Sequence, residues 1–293
     1  MRQEAQYQAI KQLHEEKAYP LVQLCAFFEV WRSAYYKWQN RKPSQRELEN
    51  QLLLSRIIEI YKSVNGIYGY RRITLTLNRH SDTRYNVKRI RRLMRKIGLH
   101  SVIRRKRKNY VRVTPQVTAE NLLARQFQAD AINQKWLTDV TELAYGNSQK
   151  SYLSAIFDMR DRSIVSFCLG HSNNVPLVLE TLDRALAANP GAKPLFHSDR
   201  GIQYTSGVFK RKLDDAGLVQ SMSRIGRCID NGPMEGFWGT LKAEMYHLNR
   251  FYDYDNLRSA VENYIHFYNF ERYQKNLNGL TPLEFRSQAM STE

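Results

Sequence analysis

Three carboxylates sit where a carboxylate is out of place or at the edge of an element. Asp139 lies inside Trp136-Leu137-Thr138-Asp139-Val140-Thr141, an apolar, β-prone run. Asp199 follows Leu195-Phe196-His197-Ser198 and leads into Gly201, at or just past the end of a second such run. Glu235 comes early in a helical pattern that opens after Asn231-Gly232-Pro233. Two strand carboxylates and one helix carboxylate can converge at one end of a sheet. Hard oxygen ligands of this kind suit Mg²⁺ or Mn²⁺, which keep several waters and take substrate phosphate as further ligands. Two such ions about 3.5–4 Å apart activate an attacking oxygen and stabilise a leaving one in an in-line phosphoryl displacement. The chain holds 28 acidic residues, and on spacing alone Asp158, Asp161, Asp230 and Glu244 are substitutes for members of the trio.

Phosphate chemistry calls for a surface that binds a polyanion, and the charge distribution provides one. The net charge is +17 over 293 residues. Residues 1–115 carry 26 Lys and Arg against 8 Asp and Glu, which leaves 19 against 20 for the rest. All of the positive excess therefore lies in the first two-fifths of the chain, where nucleic acid is the usual polyanion. Residues 86–97 read as a helix with Val87, Ile90, Leu93 and Met94 inward and Lys88, Arg91, Arg92 and Arg95 outward. Asn86 is its N-cap and Gly98 its stop. A last helix of a helical group with arginines on one face has the layout of a recognition helix. Arg71 and Arg72 open the helix before it, and Arg104, Arg105, Lys106, Arg107 and Lys108 form a basic linker that tracks phosphates without reading sequence. The alternative is a basic helical surface with no partner.

The elements that must position these groups can be read from periodicity. Residues 20–38 give two short helices around a tight connection near Glu29-Val30, a helix-turn-helix pattern. Ser44 and Glu47 form a capping box for a helix through about Lys62, with Leu52, Leu53, Ile57 and Ile60 as its apolar stripe. Asn65-Gly66 ends it. From about residue 116 short apolar runs read as strands at Trp136–Leu143, Tyr152–Asp158, Ile164–Leu169 and Pro194–His197. Helical patterns occupy 175–188, 206–216 and 233–247, which gives a mixed α/β order. Residues 254–270 form an amphipathic helix, and Thr281-Pro282 caps a last short one. The expected organisation is a helical N-terminal unit (1–43), a helical DNA-binding domain (44–100), a basic linker (101–120), an α/β catalytic core (121–248) and a helical tail (249–293).

The chain has no run of about 18 uncharged apolar residues, which argues against a membrane span. Its first residues are charged and lack the apolar core of a signal peptide. Cys25, Cys168 and Cys228 are odd in number and widely separated, so they give neither a disulfide framework nor a Cys-x-x-Cys metal site. A cytoplasmic location is expected.

Longer stretches around the acids resemble the DDE transposases of the retroviral-integrase superfamily. More narrowly, they look like the downstream-frame product of bacterial insertion sequences that encode transposase in two overlapping frames. The matching stretches are Trp136–Thr141, His197-Ser198-Asp199-Arg200-Gly201 with Gln203-Tyr204, Ser221-Met222-Ser223, and Asp230-Asn231-Gly232 with Glu235. Between Asp199 and Glu235 lie 35 residues, the spacing that names the signature of the superfamily. Lys242, seven residues after Glu235 and so on the same helical face, also matches. So do Tyr68–Ile73 upstream, and Tyr268-Asn269, Arg272 and Thr281-Pro282 downstream.

The resemblance implies a ribonuclease H-like catalytic domain, a mixed sheet flanked by helices, with a helical DNA-binding region before it and a helical tail after it. Asp139 belongs on the first strand, Asp199 after the fourth and Glu235 on a helix. It implies hydrolysis at an element end and attack of the freed 3′-OH on another phosphodiester, with Mg²⁺ or Mn²⁺, two ions in all, and no zinc. Asp139 and Asp199 would share one ion and Glu235 would serve the second. Lys242 would contact phosphate near the scissile bond. Gln203 and Tyr204 either meet the DNA end or, in the case of Tyr204, pack in the core. His197 either orients the site, moves a proton or is structural, and Asn231 positions Glu235 or the DNA. Trp136, Phe237 and Trp238 read as core. The implied partners are double-stranded DNA, further copies of the chain in a homo-oligomer and an upstream-frame helix-turn-helix protein. Two other functions fit the residues: a nuclease of the same fold that does not join, and a DNA-binding regulator that does not catalyse.

Overall fold

The computed structural model describes residues 3–103, 121–123, 126–224 and 228–291. They fall into two units, Met1–Glu59 and Ile60–Glu293. In the first, α1 (Glu4–Lys17), α2 (Leu21–Phe27) and α3 (Arg32–Gln39) close on Tyr7, Ile10, Leu24, Cys25, Val30 and Tyr35. The tight connection expected at Glu29 is made by a left-handed residue there, φ +54°. Helix α4 (Gln45–Ser63) opens on the expected capping box. The Glu47 amide donates to Ser44 Oγ at 3.3 Å and the Ser44 amide to Glu47 Oε2 at 2.8 Å. Its stripe is narrower than the sequence suggests. Leu53 and Ile57 are buried, whereas Leu52 is 71% exposed. One residue is about 100° of helical rotation, so a face holding an i, i+4 pair turns the preceding residue to the flank.

In the second unit α5 (Tyr70–Arg79) and α6 (Val87–Lys96) pack as a pair. Asn86 caps α6 by accepting the Lys88 amide at 2.8 Å. Ile90, Leu93 and Met94 turn inward and Lys88, Arg91, Arg92 and Arg95 outward, as the periodicity requires. Val87, expected inward, is exposed at the first position of the helix.

The sheet has strand order β3-β2-β1-β4-β5. Strands β1 (Lys135–Tyr145), β2 (Gln149–Asp158) and β3 (Ile164–Gly170) form an antiparallel meander, and β4 (Leu195–Ser198) and β5 (Val219–Met222) add in parallel beside β1. This mixed sheet, covered on both faces by helices, is the ribonuclease H-like architecture expected from the motifs. Alternation along β1 divides the core in two. Leu137 and Leu143 join Leu153, Ala155 and Phe157 on the face covered by α10 (Gly232–Glu244) and α11 (Tyr254–Phe270). Trp136 joins Ile156 and Phe196 on the face covered by α7 (Val175–Ala188) and by α9 (Gly207–Asp215), which follows the short α8 (Ile202–Thr205). Strand β5 and helix α8, four residues each, were not read from the sequence; neither shows the short apolar run that marks β4.

The tail belongs to the same core. Leu257, Val261, Ile265 and Tyr268 of α11 pack with Phe237, Trp238 and Leu241 of α10. Asn269 clamps β3, accepting the Ile164 amide at 2.9 Å and donating to its carbonyl at 3.0 Å. Helix α12 (Pro282–Met290) carries the expected Thr281 cap, completed by Glu284. Among the described residues no helix is long and apolar enough to cross a membrane.

A buried ion network ties α5 to the far end of α10. Arg272 grips Glu244 with two hydrogen bonds of 2.8 Å, Arg72 adds a third at 3.1 Å and Tyr264 Oη a fourth at 3.0 Å. Burial alone would raise the Glu244 pKa, but Arg272 and then Arg72 bring it below the usual carboxylate value. Glu244→Ala leaves Arg272 buried without its acid, and breaking such a pair costs about 3–5 kcal/mol. Urea unfolding should show a loss of that size; wild-type stability would mean the network is dispensable.

Candidate active site

The geometry follows from the register of two parallel strands. Leu137 on β1 lies opposite His197 on β4. Asp139 lies two residues past Leu137 on β1 and Asp199 two residues past His197, just after β4 ends, close enough for the Asp199 charge to act on Asp139. Asp139 shares the parity of Leu137 and so faces the α10 side. Strand β4 stops at Ser198, and the β1 carbonyl of Thr138, just beyond the paired stretch, is taken instead by Asn231 Nδ2 at 3.1 Å. Asn231 stands directly before α10, so this bond seats the helix start beside Asp139. Seven residues on, Trp238 Nε1 donates to Asp139 Oδ2 at 3.0 Å. Asn231, Glu235, Trp238 and Lys242 follow one another at i, i+4, i+7 and i+11, a single helical face. Glu235 is thus bracketed by two residues that touch β1, Asn231 at Thr138 and Trp238 at Asp139 itself. It also lies in the first turn of α10, where the helix dipole favours negative charge.

Each aspartate is also locked by its own backbone. Asp139 Oδ1 accepts the Val140 amide at 2.8 Å, and Asp199 Oδ1 accepts the Gly201 amide at 2.9 Å. Burial, and after it the charges of Asp199 and Glu235, push the Asp139 pKa up to about 7 despite these donors. Burial raises Asp199 as well. Among the described residues neither acid is ion-paired with Lys, Arg or His. Nor do three Asp, Glu, His or Cys side chains there close around a point tightly enough to enclose one ion.

The four substitute acids have other partners. Arg286 joins Asp158 at 3.3 Å and Asp161 at 2.5 Å, pinning α12 to the loop after β2. Arg224 holds Asp230 at 2.9 Å, and Glu244 lies in the network described above. Each of the four is neutralised by arginine, unlike Asp139 and Asp199.

Several residues expected at the DNA are placed elsewhere. Tyr204 is fully buried, with its hydroxyl 3.1 Å from Thr138 Oγ1 and its ring edge-on to Phe209. It is core, because the strand–turn–helix at Asp199 folds it under the sheet end. Gln203 is also buried, its amide folded over Gly201, where a Cβ would meet it at 2.5 Å. Asn231 gives its Nδ2 to Thr138 while its buried Oδ1 has no hydrogen-bond partner among the described residues, and Arg72 is held by Glu244. His197 is buried between Ser221 Oγ at 2.9 Å and Ser223 Oγ at 3.1 Å. Burial lowers its pKa to about 4, so it braces β4 against β5 as a neutral ring. Arg71, Lys88, Arg91, Arg92 and Arg95 are exposed, and Lys242 is half-buried on the Glu235 face. Arg104, Arg105, Lys106, Arg107 and Lys108 lie outside the described residues. Trp238 as an Asp139 donor was missed. The i+3 spacing from Glu235 was visible, but an indole reads as core until the facing strand is known.

Known families map onto these elements. An HTH-like domain matches residues 47–107, and integrase core domains match 129–228 and 235–290. The putative transposase InsK for insertion sequence element IS150 of Escherichia coli K12 is 40% identical over 92% of this chain and 94% of its own. The chain belongs to the insertion-sequence transposases with an integrase core. The transposase is also 34% identical to the IS600 31 kDa protein of Shigella sonnei, over 90% of this chain and 97% of that one. Transposase InsF for IS3A of E. coli K12 is 30% identical, over 92% and 94%. Among solved structures, the HTLV-2 integrase catalytic core in complex with magnesium covers 54% of the transposase and 99% of itself, at 20% identity and a TM-score of 0.44. The transposase is accordingly an enzyme of DNA transposition, of the polynucleotidyl-transferase type.

An acid whose folded pKa lies above its unfolded value of about 3.9 binds more protons folded than unfolded. Without metal, stability should therefore fall as pH rises from about 4 towards about 7. Asp139→Asn removes the like charge and keeps the shape. Thermal unfolding in chelator should find this variant more stable than wild type at alkaline pH, with the gap closing in acid. A gap independent of pH would contradict the raised Asp139 pKa.

Proposed function

We propose that the transposase cuts DNA at element ends and joins the freed 3′-OH to a second phosphodiester, with Asp139, Asp199 and Glu235 as the ligands of two divalent ions, Mg²⁺ or Mn²⁺. The observation that carries this reading is the pair of half-buried aspartates, one on β1 and one just past the end of β4, without a cation partner among the described residues and with the Glu235 helix tied to the first of them. Such a donor set fits hard cations, which would supply the positive charge the site lacks. Asp139 and Asp199 would share one ion and Glu235 would serve the second, with positions left for water and phosphate oxygen. When bound, the ions would supply Lewis-acid stabilisation of attacking and leaving oxygens.

The protein's own part is positional. Val140 and Trp238 each hold one oxygen of Asp139, fixing the carboxylate plane before any ligand arrives. Gly201 does the same for Asp199. Asn231 and Trp238 fix the rotation of α10 and with it the direction of Glu235. Lys242, on that face, would meet phosphate near the scissile bond. Arg71, Lys88, Arg91, Arg92 and Arg95, with the basic run 104–108, would bind the duplex. For assembly we infer a homo-oligomer that holds two duplex ends, with an upstream-frame helix-turn-helix protein as a further partner. A nuclease that does not join, or a non-catalytic regulator, is less well supported: the acids are intact and the family is one of transposases.

With Mg²⁺ and a cognate end, wild type should yield joined strands. Asp199→Asn should abolish joining and keep DNA binding, and joining by that variant would sink the assignment. Trp238→Phe keeps the ring and loses the donor. Outer-shell donors of this kind are worth about 10–100-fold in metal affinity. Mn²⁺ titration of the DNA-free protein should show that weakening, and unchanged Mn²⁺ affinity would remove Trp238 from the site. Sedimentation with end duplex should give more than one protomer per complex; a single protomer would count against the oligomer.

A further inference from the structure

One cavity of the second unit lies away from the acids. It is a cleft of about 1330 Å³ between the α5–α6 pair and the turn that follows α11. Arg71, Arg91 and Arg95 line one wall, and Lys275 and Asn276 the other. The floor is the Arg72–Glu244–Arg272 network, in which two arginines share one carboxylate and leave a net positive charge. The four cations of the walls are exposed and, among the described residues, pair with no carboxylate. Arg79, just outside, does have a partner, in Glu284 at 2.9 Å. Two of the wall cations crowd one aromatic ring, Arg71 at 5.6 Å and Arg91 at 5.4 Å from the Tyr70 centroid. Like charges held this close without an acid between them are relieved by an anion.

The walls are fixed to one another. His80 Nε2 and Tyr273 Oη lie 3.1 Å apart, and Arg79 stacks over the Tyr273 ring. The cleft is thus built into the body that carries the acids, although its cations come from segments about 180 residues apart. It is nevertheless a separate site. Glu244 is nine residues beyond Glu235, which is about 13–14 Å along α10 and half a turn around it. The floor of the cleft therefore backs onto the opposite face of the catalytic helix.

We propose that this cleft binds the phosphate backbone of duplex DNA away from the scissile bond, and that Lys275 of the C-terminal segment shares the contact with Arg91 and Arg95. The proposal rests on the DNA-transposition reading above. The cleft exceeds the roughly 300–1,000 Å³ of small-ligand pockets. Its lining includes apolar side chains such as Met94 and Leu99, and the four exposed cations on its walls are what suit it to a polyanion. Arg91 and Arg95 stand one turn apart on α6, about 6 Å, over which a duplex presents several charges at one per ~1.7 Å. Contacts of this kind position the duplex and carry no sequence information.

The test uses the full chain and a fluorescein-labelled duplex of unrelated sequence. Affinity is measured by anisotropy across about 50–200 mM salt, where each phosphate contact contributes about −0.9 to the slope of log K against log salt. Lys275→Gln should reduce that slope by about one contact, and Lys275→Gln with Arg91→Gln by about two, with binding about ten-fold weaker at low salt. Lys210→Gln is the control, since Lys210 is already paired with Asp214 at 2.7 Å and should change nothing. Circular dichroism checks folding, and the exposed Lys275→Gln variant carries the test alone if the double variant is unstable. Repeating the series in the Asp199→Asn protein separates the two claims, because binding is read there without catalysis. A folded Lys275→Gln protein with wild-type affinity and slope overturns the proposal. So does an equal loss in Lys210→Gln, or tighter binding of single-stranded RNA than of duplex DNA.

Discussion

Two carboxylates side by side at a buried sheet end repel each other, and most of the second unit is arranged to hold them there. Burial lifts the Asp139 pKa to about 7, with the charges of Asp199 and Glu235 adding to the rise. An isolated pair of this kind would relax by rotating its carboxylates towards water. Here the relaxation is blocked by donors at fixed positions: the Val140 and Gly201 amides behind the acids and the Trp238 indole in front. Those donors are fixed in turn because β1 is central in the sheet, with one hydrophobic cluster on each face. The antiparallel meander keeps β1 rigid, and the shortness of β4 exposes its backbone at the level of Asp139. A longer β4 would have paired the Thr138 carbonyl and left Asn231 nothing to seat α10 against.

This arrangement explains why some features were legible in the sequence and others were not. Asp139 stood out because a charge in Trp136–Thr141 violates strand patterning without local compensation. Asp158 lies at the end of an equally apolar run, and nothing nearby in the chain distinguishes it. Its partner Arg286 is 128 residues away, so only the fold separates a neutralised acid from one that is not. Arg72 and Arg91 look alike in a basic segment, yet one is turned to Glu244 and the other to the cleft. The same holds for Tyr204, whose motif adjoins Asp199 while its side chain points into the opposite core. Helices α7 and α11 were read at their observed limits because each has a long stripe and a side-chain cap. Of the four-residue elements, β4 was read to within one residue at each end, whereas β5 and α8 were not.

Helix α10 connects the two kinds of chemistry that the charge map separates along the chain. Its early face carries Glu235 among residues that touch β1, and the opposite face at its C-terminal end carries Glu244 among arginines from α5 and from the turn after α11. A rigid helix with a carboxylate at each end is a lever of fixed length. The acid at one end faces the two aspartates, whereas the acid at the other is already saturated by the protein's own arginines. That difference follows from neighbours rather than residue type, since both are glutamates. The buried Arg72–Glu244–Arg272 contact sets the distance between the basic face of α6 and the acids. Any duplex held by that face then meets the acids at a spacing fixed by the fold.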